Sequence, residues 1–283
     1  MSRQVKSLNS KPAGKLFGFL LLAVIALTVA LSTSAYAADI TVNDELGLRA
    51  AVAGAPAMPY EIELTADITL LGSALDIPAG KNVTLTGGYS LIGADEEDAI
   101  NVSGTLTLDG ITVTHLVGDI GRGVYVQSGG ALTLSSGTIS GNTAFVYIGG
   151  VYNAGTLTLK DGEVSGNAAH HGGNVHNTGT FTMEGGKISD STTDNGGGGG
   201  VSNTGTFTLK DGEVSGNTTT NAGGGVHNTG TFTMEGGPSL TTRPQAAAAC
   251  PTPAPSLWRV APSPIMRLPS RAAACGMTTA PSP

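Results

Sequence analysis

The stretch GVYNAGTLTLKDGEVSGN (Gly150–Asn167) decides the fold, because the chain then writes it again. The next copy is NVHNTGTFTMEGGKISDS (Asn174–Ser191), followed by GVSNTGTFTLKDGEVSGN (Gly200–Asn217) and GVHNTGTFTMEGG (Gly225–Gly237). Asn153, Asn177, Asn203 and Asn228 recur at intervals of 24, 26 and 25 residues. Looser copies precede them, GVYVQSGGALTLSSGTISGN (Gly123–Asn142) and NVSGTLTLDGITV (Asn101–Val113). A period in this range marks a solenoid, propeller or array. Helical repeats do not fit, since each unit is rich in Gly, Thr and β-branched residues and lacks a 3.6-residue apolar period.

Within a unit the side chains alternate. In Thr180-Phe181-Thr182-Met183, Phe181 and Met183 point one way and the threonines the other. Further short strands are expected at Lys187-Ile188-Ser189 and at Val175-His176. Three short strands per turn, parted by Gly and Asn, predict one coil of a right-handed parallel β-helix, an all-β solenoid. Stacked about 4.8 Å apart, the coils pile Phe181, Phe207 and Phe232 inside, with Asn177, Asn203 and Asn228 expected at a turn. The glycines at 196–200 and 223–225 are expected to supply turns with positive φ.

Outward from the repeats, composition divides the chain into segments. In residues 1–37, Arg3, Lys6, Lys11 and Lys15 precede an apolar run from Leu16 to Leu31 and then Ala35-Tyr36-Ala37. This order predicts a signal peptide cleaved after Ala37 and a secreted or cell-surface protein; an uncleaved anchor is the competing reading. Residues 38–122 form an N-terminal cap and first coils. Asp44–Val52 suits a short amphipathic helix with Leu48, Ala51 and Val52 on one face, and short strands follow at Ile62–Leu64, Ile68–Leu70 and Val83–Thr86. Such a cap covers what would otherwise be an exposed strand edge. Residues 123–237 hold the main repeats.

Residues 238–283 break the pattern: ten of the fourteen prolines, both cysteines, the only Trp and no acidic residue. Yet Cys250 and Cys275 are 25 apart, the repeat period. Codons can be chosen for Ala246–Pro264 that, read one base earlier, spell GGGGVPNTGTFTVEGGTIT. This predicts a reading-frame shift near Gly237, so that the disordered-looking tail stands where further coils would be. The alternative is a genuine Pro/Ala-rich linker or wall-spanning tail, with a Cys250–Cys275 disulfide open to it in an oxidising compartment.

The order of Ile62–Leu70 and Ile77–Thr86 after a short helix resembles the start of pectate-lyase-like right-handed β-helices. The unit G-V-x-N-x-G-T-x-T-x-x-x-G-x-[IV]-S is similar to the repeats of bacterial adhesin-like surface proteins. The resemblance spans Ala38 to Gly237. It implies a fold that hosts both enzymes and adhesins. The enzymes of that fold work through clustered carboxylates, often with calcium, and a Lys or Arg base.

The candidates for such chemistry are few. Between Ala38 and Gly237 lie all 21 acidic residues against six basic ones, a net charge of −15 that repels nucleic acid and anionic lipid. Asp161 and Glu163 could face the same way, but the pair recurs as Asp211 and Glu213, and a residue that recurs with the repeat is scaffold first. Asp95-Glu96-Glu97-Asp98 is the single acidic run, read as a solvated loop over a loose cation site. His176 and His227 share a repeat position two coils apart, about 9.6 Å, too far to share a metal. His115 and the loop pair His170-His171 read as surface histidines. The glycines from Gly196 to Gly200 open no helix and carry no Lys-Ser/Thr, so they form no phosphate loop.

No residue is therefore assigned as catalytic, cofactor-binding or metal-ligating. The expected function is that of a non-catalytic, structural or adhesive extracellular protein of a bacterium. Its expected partner is a host or microbial glycan or surface protein, met by side-chain ladders and by loops at Thr143–Ile148 and Ala168–Gly173. The rival is a carbohydrate-active enzyme. A third reading, ice binding, rests on the recurrent Thr-x-Thr: Thr105/Thr107, Thr156/Thr158, Thr180/Thr182, Thr206/Thr208 and Thr231/Thr233.

Overall fold

The structure, a computed structural model, describes residues 38–144, 148–170, 172–194, 197–220, 223–235 and 239–241. Residues 1–37, where a signal peptide is expected, and the tail with Cys250 and Cys275 lie outside the described residues.

The described chain is a parallel β-solenoid of about seven turns. Its strands fall into sheets of nine, eight, seven and four strands, in each of which neighbours are successive coils. Pairing is parallel and in register with the repeat. Thr156, Thr180, Thr206 and Thr231 stand side by side, and so do Leu157, Phe181, Phe207 and Phe232. Parallel strands need crossovers, and here the other sheets of the coil serve as the crossover.

The first coil is closed as expected. Helix α1 (Glu45–Gly54) starts at Asp44, whose side chain accepts from the Gly47 amide at 2.7 Å. That cap satisfies an amide that has no partner within the helix. Leu48, Ala51 and Val52 are buried against the core. Strand Ile40–Val42 precedes the helix and pairs with Tyr60–Leu64, starting the nine-stranded sheet.

The interior is laddered. Phe181 and Phe207 stack with centroids 4.5 Å apart and planes at 3°, and Phe207 and Phe232 at 4.9 Å and 24°. Each buried ring contributes about 1.5–3 kcal/mol by leaving water. Their separation matches the coil spacing, so the stack adds ring contact without deforming the backbone.

Three expectations are sharpened. First, the asparagines close a corner between strands with their side chains facing inward. Asn153, Asn177 and Asn203 end the strands of the seven-stranded sheet and are fully buried. Asn177 Nδ2 donates to Asn203 Oδ1 at 2.7 Å and to the Thr206 carbonyl at 2.9 Å. The corner between two strands leaves carbonyls without a ladder partner, and the inward amide supplies it. Asn142, Asn167, Asn174 and Asn217 form a second buried network at another corner.

Second, each later coil has a fourth strand. Thr143–Ala144, Ala168–Ala169, Thr192–Thr193 and Thr218–Thr219 pair into the four-stranded sheet, so the segments read as loops are in part strand. Residues 145–147 and His171 of those segments lie outside the described residues.

Third, most repeat glycines answer a spatial need. Gly198 and Gly223 do have positive φ, +85° and +83°. Gly155, Gly179, Gly205 and Gly230, however, form a column in which a Cβ would collide with the carbonyl oxygen of the glycine one coil earlier. Backbone stacks there directly on backbone.

Candidate functional site

One outward column of the seven-stranded sheet differs from the polar faces elsewhere. Residues at the centre of its three-residue strands face out, while their neighbours face in. Register places Asp76, Asn101, Tyr125, Tyr152, His176, Ser202 and His227 in one line, one per coil. Four of these seven carry rings. In-register stacking thus turns scattered sequence positions into a continuous ladder.

The rings are in contact. Tyr125 and Tyr152 meet edge to face, centroids 5.1 Å apart at 86°. Tyr152 and His176 are stacked at 5.4 Å and 29°. Arg122 lies at one end, its guanidinium carbon 4.7 Å from the Tyr125 centroid and 5.7 Å from that of Tyr152. Its Nε and Nη2 donate to Asp98 Oδ1 and Oδ2 at 2.6 and 2.8 Å. The fork fixes the guanidinium over the rings and neutralises its charge.

Along this column runs a groove of about 720 Å³, lined by Arg122, Tyr125, Tyr152, His176, Ser202 and His227 among others. Ser202 is 8% exposed, the floor between two histidine rungs. Partial burial of the His227 imidazole lowers its pKa from the usual 6.5, so the neutral ring is favoured there. No carboxylate lines the groove among the described residues. Two carboxyls about 5–9 Å apart are what glycoside hydrolysis uses.

The sequence candidates fall elsewhere. Asp161 and Asp211 are exposed turn residues. Glu163 and Glu213 stand on either side of Lys187 in the eight-stranded sheet, and Glu163 accepts from Ser189 Oγ at 3.1 Å. Register thus alternates Glu, Lys and Glu along this sheet. The acidic run is tied down: Asp95 accepts from the Ile120 amide at 2.8 Å and Asp98 is held by Arg122. Among the described residues no three His, Cys, Asp or Glu side chains gather closely enough to hold a metal ion.

The histidines divide. His115, read as a surface residue, is buried; its Nδ1 lies 2.8 Å from Asn142 Oδ1 and its Nε2 3.0 Å from the Glu97 carbonyl. His170 Nδ1 lies 2.9 Å from Asp194 Oδ1 on the surface. His176 and His227 do share one column, as their repeat position implied, but in a groove. Tyr125, Tyr152, Arg122 and Ser202 are additional. The signal for the first two lay in the repeat: the position after Gly-Val, or Asn-Val in one unit, reads Tyr, Tyr, then His, Ser, His in successive units.

Compared with protein-family models, curated proteins and solved structures, the chain matches none. No helix among the described residues is long and apolar enough to cross a membrane.

Proposed function

We propose that this chain is a non-catalytic, secreted or cell-surface bacterial protein of structural and adhesive type. Its solenoid, of right-handed pectate-lyase-like form, would present a rigid acidic surface and hold a glycan along the groove of the seven-stranded sheet. The observation that carries this reading is the Tyr125–Tyr152–His176 ladder with His227 beyond it, ring-bearing side chains aligned in a groove that no described carboxylate lines. Aromatic and imidazole side chains with polar tips suit ligands that are apolar on one face and hydroxylated at the edge. The many parallel ladder contacts make the surface pre-organised, which lowers the ordering cost of binding.

The test is a panel of neutral and acidic polysaccharides offered to the full chain. Binding without cleavage, lost on Tyr152→Ala, supports the reading. Reproducible cleavage abolished by one Asp or Glu substitution overturns it in favour of a carbohydrate-active enzyme.

A second reading has its own observation. On the nine-stranded sheet Thr84, Thr107, Thr133, Thr158, Thr182, Thr208 and Thr233 form one outward column, and Thr156, Thr180, Thr206 and Thr231 another. Columns about 6.6 Å apart with rungs about 4.8 Å apart make a two-dimensional lattice of hydroxyl and methyl groups on stiff β-branched side chains. Such a lattice suits an ordered water face. Ice shaping by the full chain, lost on Thr182→Lys, would support it; crystals that grow unaltered would remove it.

A further inference from the structure

The one arginine in the groove is already paired. Among the described residues that line it, Arg122 is the only lysine or arginine. Its Nε and Nη2 donate to Asp98 Oδ1 and Oδ2 at 2.6 and 2.8 Å. Asp98 itself does not line the groove. We propose, resting on the glycan reading above, that Asp98 is a specificity-determining residue. By filling the guanidinium edge of Arg122 from behind, it makes the groove select neutral over carboxylated sugars.

The edge that Asp98 fills is the one a carboxylated sugar would use. A guanidinium binds a carboxylate best side-on, through two parallel N–H bonds. The carboxylate of a uronate is the same kind of acceptor as that of Asp98. At Arg122 it would meet two donors already used and a charge already cancelled. The guanidinium is also held against the rings, its carbon 4.7 Å from the Tyr125 centroid and 5.7 Å from that of Tyr152. It is therefore not free to turn a second edge outward without leaving them.

The backbone sets the pair in place. The Ala99 amide donates to the Arg122 carbonyl at 2.9 Å and the Ile100 amide to the Gly123 carbonyl at 3.1 Å. Residues 98 and 122 thus stand side by side on neighbouring coils. The run before Asp98 is pinned as well. Asp95 accepts from the Ile120 amide at 2.8 Å, and the Glu96 amide donates to the Ile120 carbonyl at 2.6 Å. Asp98 is the more buried partner, at 12% side-chain exposure against 29%.

The acidic body adds a weaker, general repulsion. Between Ala38 and Gly237 stand 21 acidic residues against six basic ones. At physiological salt, exposed charges are largely screened beyond about 8 Å. The charge state at Arg122, in contact with the ligand, then decides between a hydroxymethyl group and a carboxylate.

The experiment changes one charge at a time. Wild type, Asp98→Asn, Arg122→Gln and the double variant are titrated as full chains by calorimetry. The pH is 8, where a free imidazole is neutral. The probes are cellohexaose, mannohexaose and laminarihexaose. Each is set against the same sugar with one hydroxymethyl carbon oxidised to a carboxylate. Wild type is expected to bind at least one neutral probe tenfold or more tightly than its carboxylated twin. Asp98→Asn keeps one acceptor for the guanidinium and uncovers its charge. It narrows that ratio tenfold or more through a gain for the carboxylated twin, and added salt shrinks the gain. Arg122→Gln uncovers the carboxylate instead and widens the ratio. In the double variant the gain disappears, because it belongs to the guanidinium. Should Asp98→Asn not fold, the direction of Arg122→Gln decides.

An unchanged ratio in Asp98→Asn, or the same gain in the double variant, overturns the role of Asp98. So does a wild-type chain that binds both twins alike or prefers the carboxylated one, and so does a ratio that Arg122→Gln fails to widen. In each of these cases the glycan groove stands. If no saccharide binds the wild-type chain, the role of Asp98 and the groove fall together.

Discussion

Asn177 hands its side-chain amide to Asn203 one coil away, Nδ2 to Oδ1 at 2.7 Å, with both residues fully buried. Asn203 repeats the gesture to Asn228 at 2.6 Å and also donates to the Thr231 carbonyl at 2.9 Å. Each amide thus closes a corner and links two coils. Replacing Asn203 by Leu keeps the branching and heavy-atom count of the side chain but strands the Thr231 carbonyl and an Asn177 donor. The expected cost is about 3 kcal/mol, from buried polar groups left unmade. Chemical denaturation of the variant measures it. Because Asn177 and Asn203 share a bond, the double variant should lose less than the sum of the singles; strict additivity would show that the ladder does not act as a unit.

The glycine column makes a contrasting prediction. At Gly205 a Cβ would run into the Gly179 carbonyl, with φ in the ordinary range. Gly205→Ala must push two coils apart and should cost about 1–3 kcal/mol by overpacking, or prevent folding. Gly166 has φ +61° and nothing within 4 Å of its missing Cβ. Gly166→Ala should cost only about 1–2 kcal/mol, the penalty of an L residue in the left-handed region. Thermal melts of the two variants compare steric stacking with backbone strain, and Gly205→Ala should melt lower.

These two columns also mark what was legible. The period, the inward Phe181 and the capping face of Leu48, Ala51 and Val52 follow from alternation and helical spacing, which are local properties. Asn203 misleads because Asn between a strand and a Gly reads as a turn residue, and only the corner geometry shows that its amide faces in. Thr143–Ala144 is too short for any two-residue pattern to mark as a strand. The groove lies between these cases. Its ring positions are printed in the repeat after each Gly-Val or Asn-Val, but that they form one column depends on knowing that the coils stack in register. Arg122 and Asp98 are 24 residues apart in different coils, and nothing in their local sequence pairs them.

That pairing carries a third prediction. Arg122 and Asp98 are both partly buried, at 29% and 12% side-chain exposure, and joined by two hydrogen bonds. Asp98→Ala should destabilise by about 1–2 kcal/mol, more than an exposed pair would, because the guanidinium keeps its burial and loses its acceptors. Arg122→Lys should recover little, since an ammonium can neither fork to both oxygens nor spread over the Tyr125 ring. A double-mutant cycle gives the coupling. A coupling energy near zero would mean that the rings, not the carboxylate, position the guanidinium.

The last prediction concerns acid. Burial lowers the His227 pKa from its usual 6.5, so in the folded chain the ring resists protonation while in the unfolded chain it does not. Between the two pKa values the unfolded state binds more protons, and stability therefore rises with pH across that interval. The contribution is whole above pH 6.5 and is lost as pH falls through the lowered folded value. Other groups titrate in the same range, so the diagnostic is a difference. Thermal melts of wild type and His227→Gln, taken from pH 8 to pH 5, should run parallel above about pH 7 and converge or cross below 6.5. The variant should show the shallower acid limb. Parallel melts down to pH 5 would show that the ring gives up no hydration on folding.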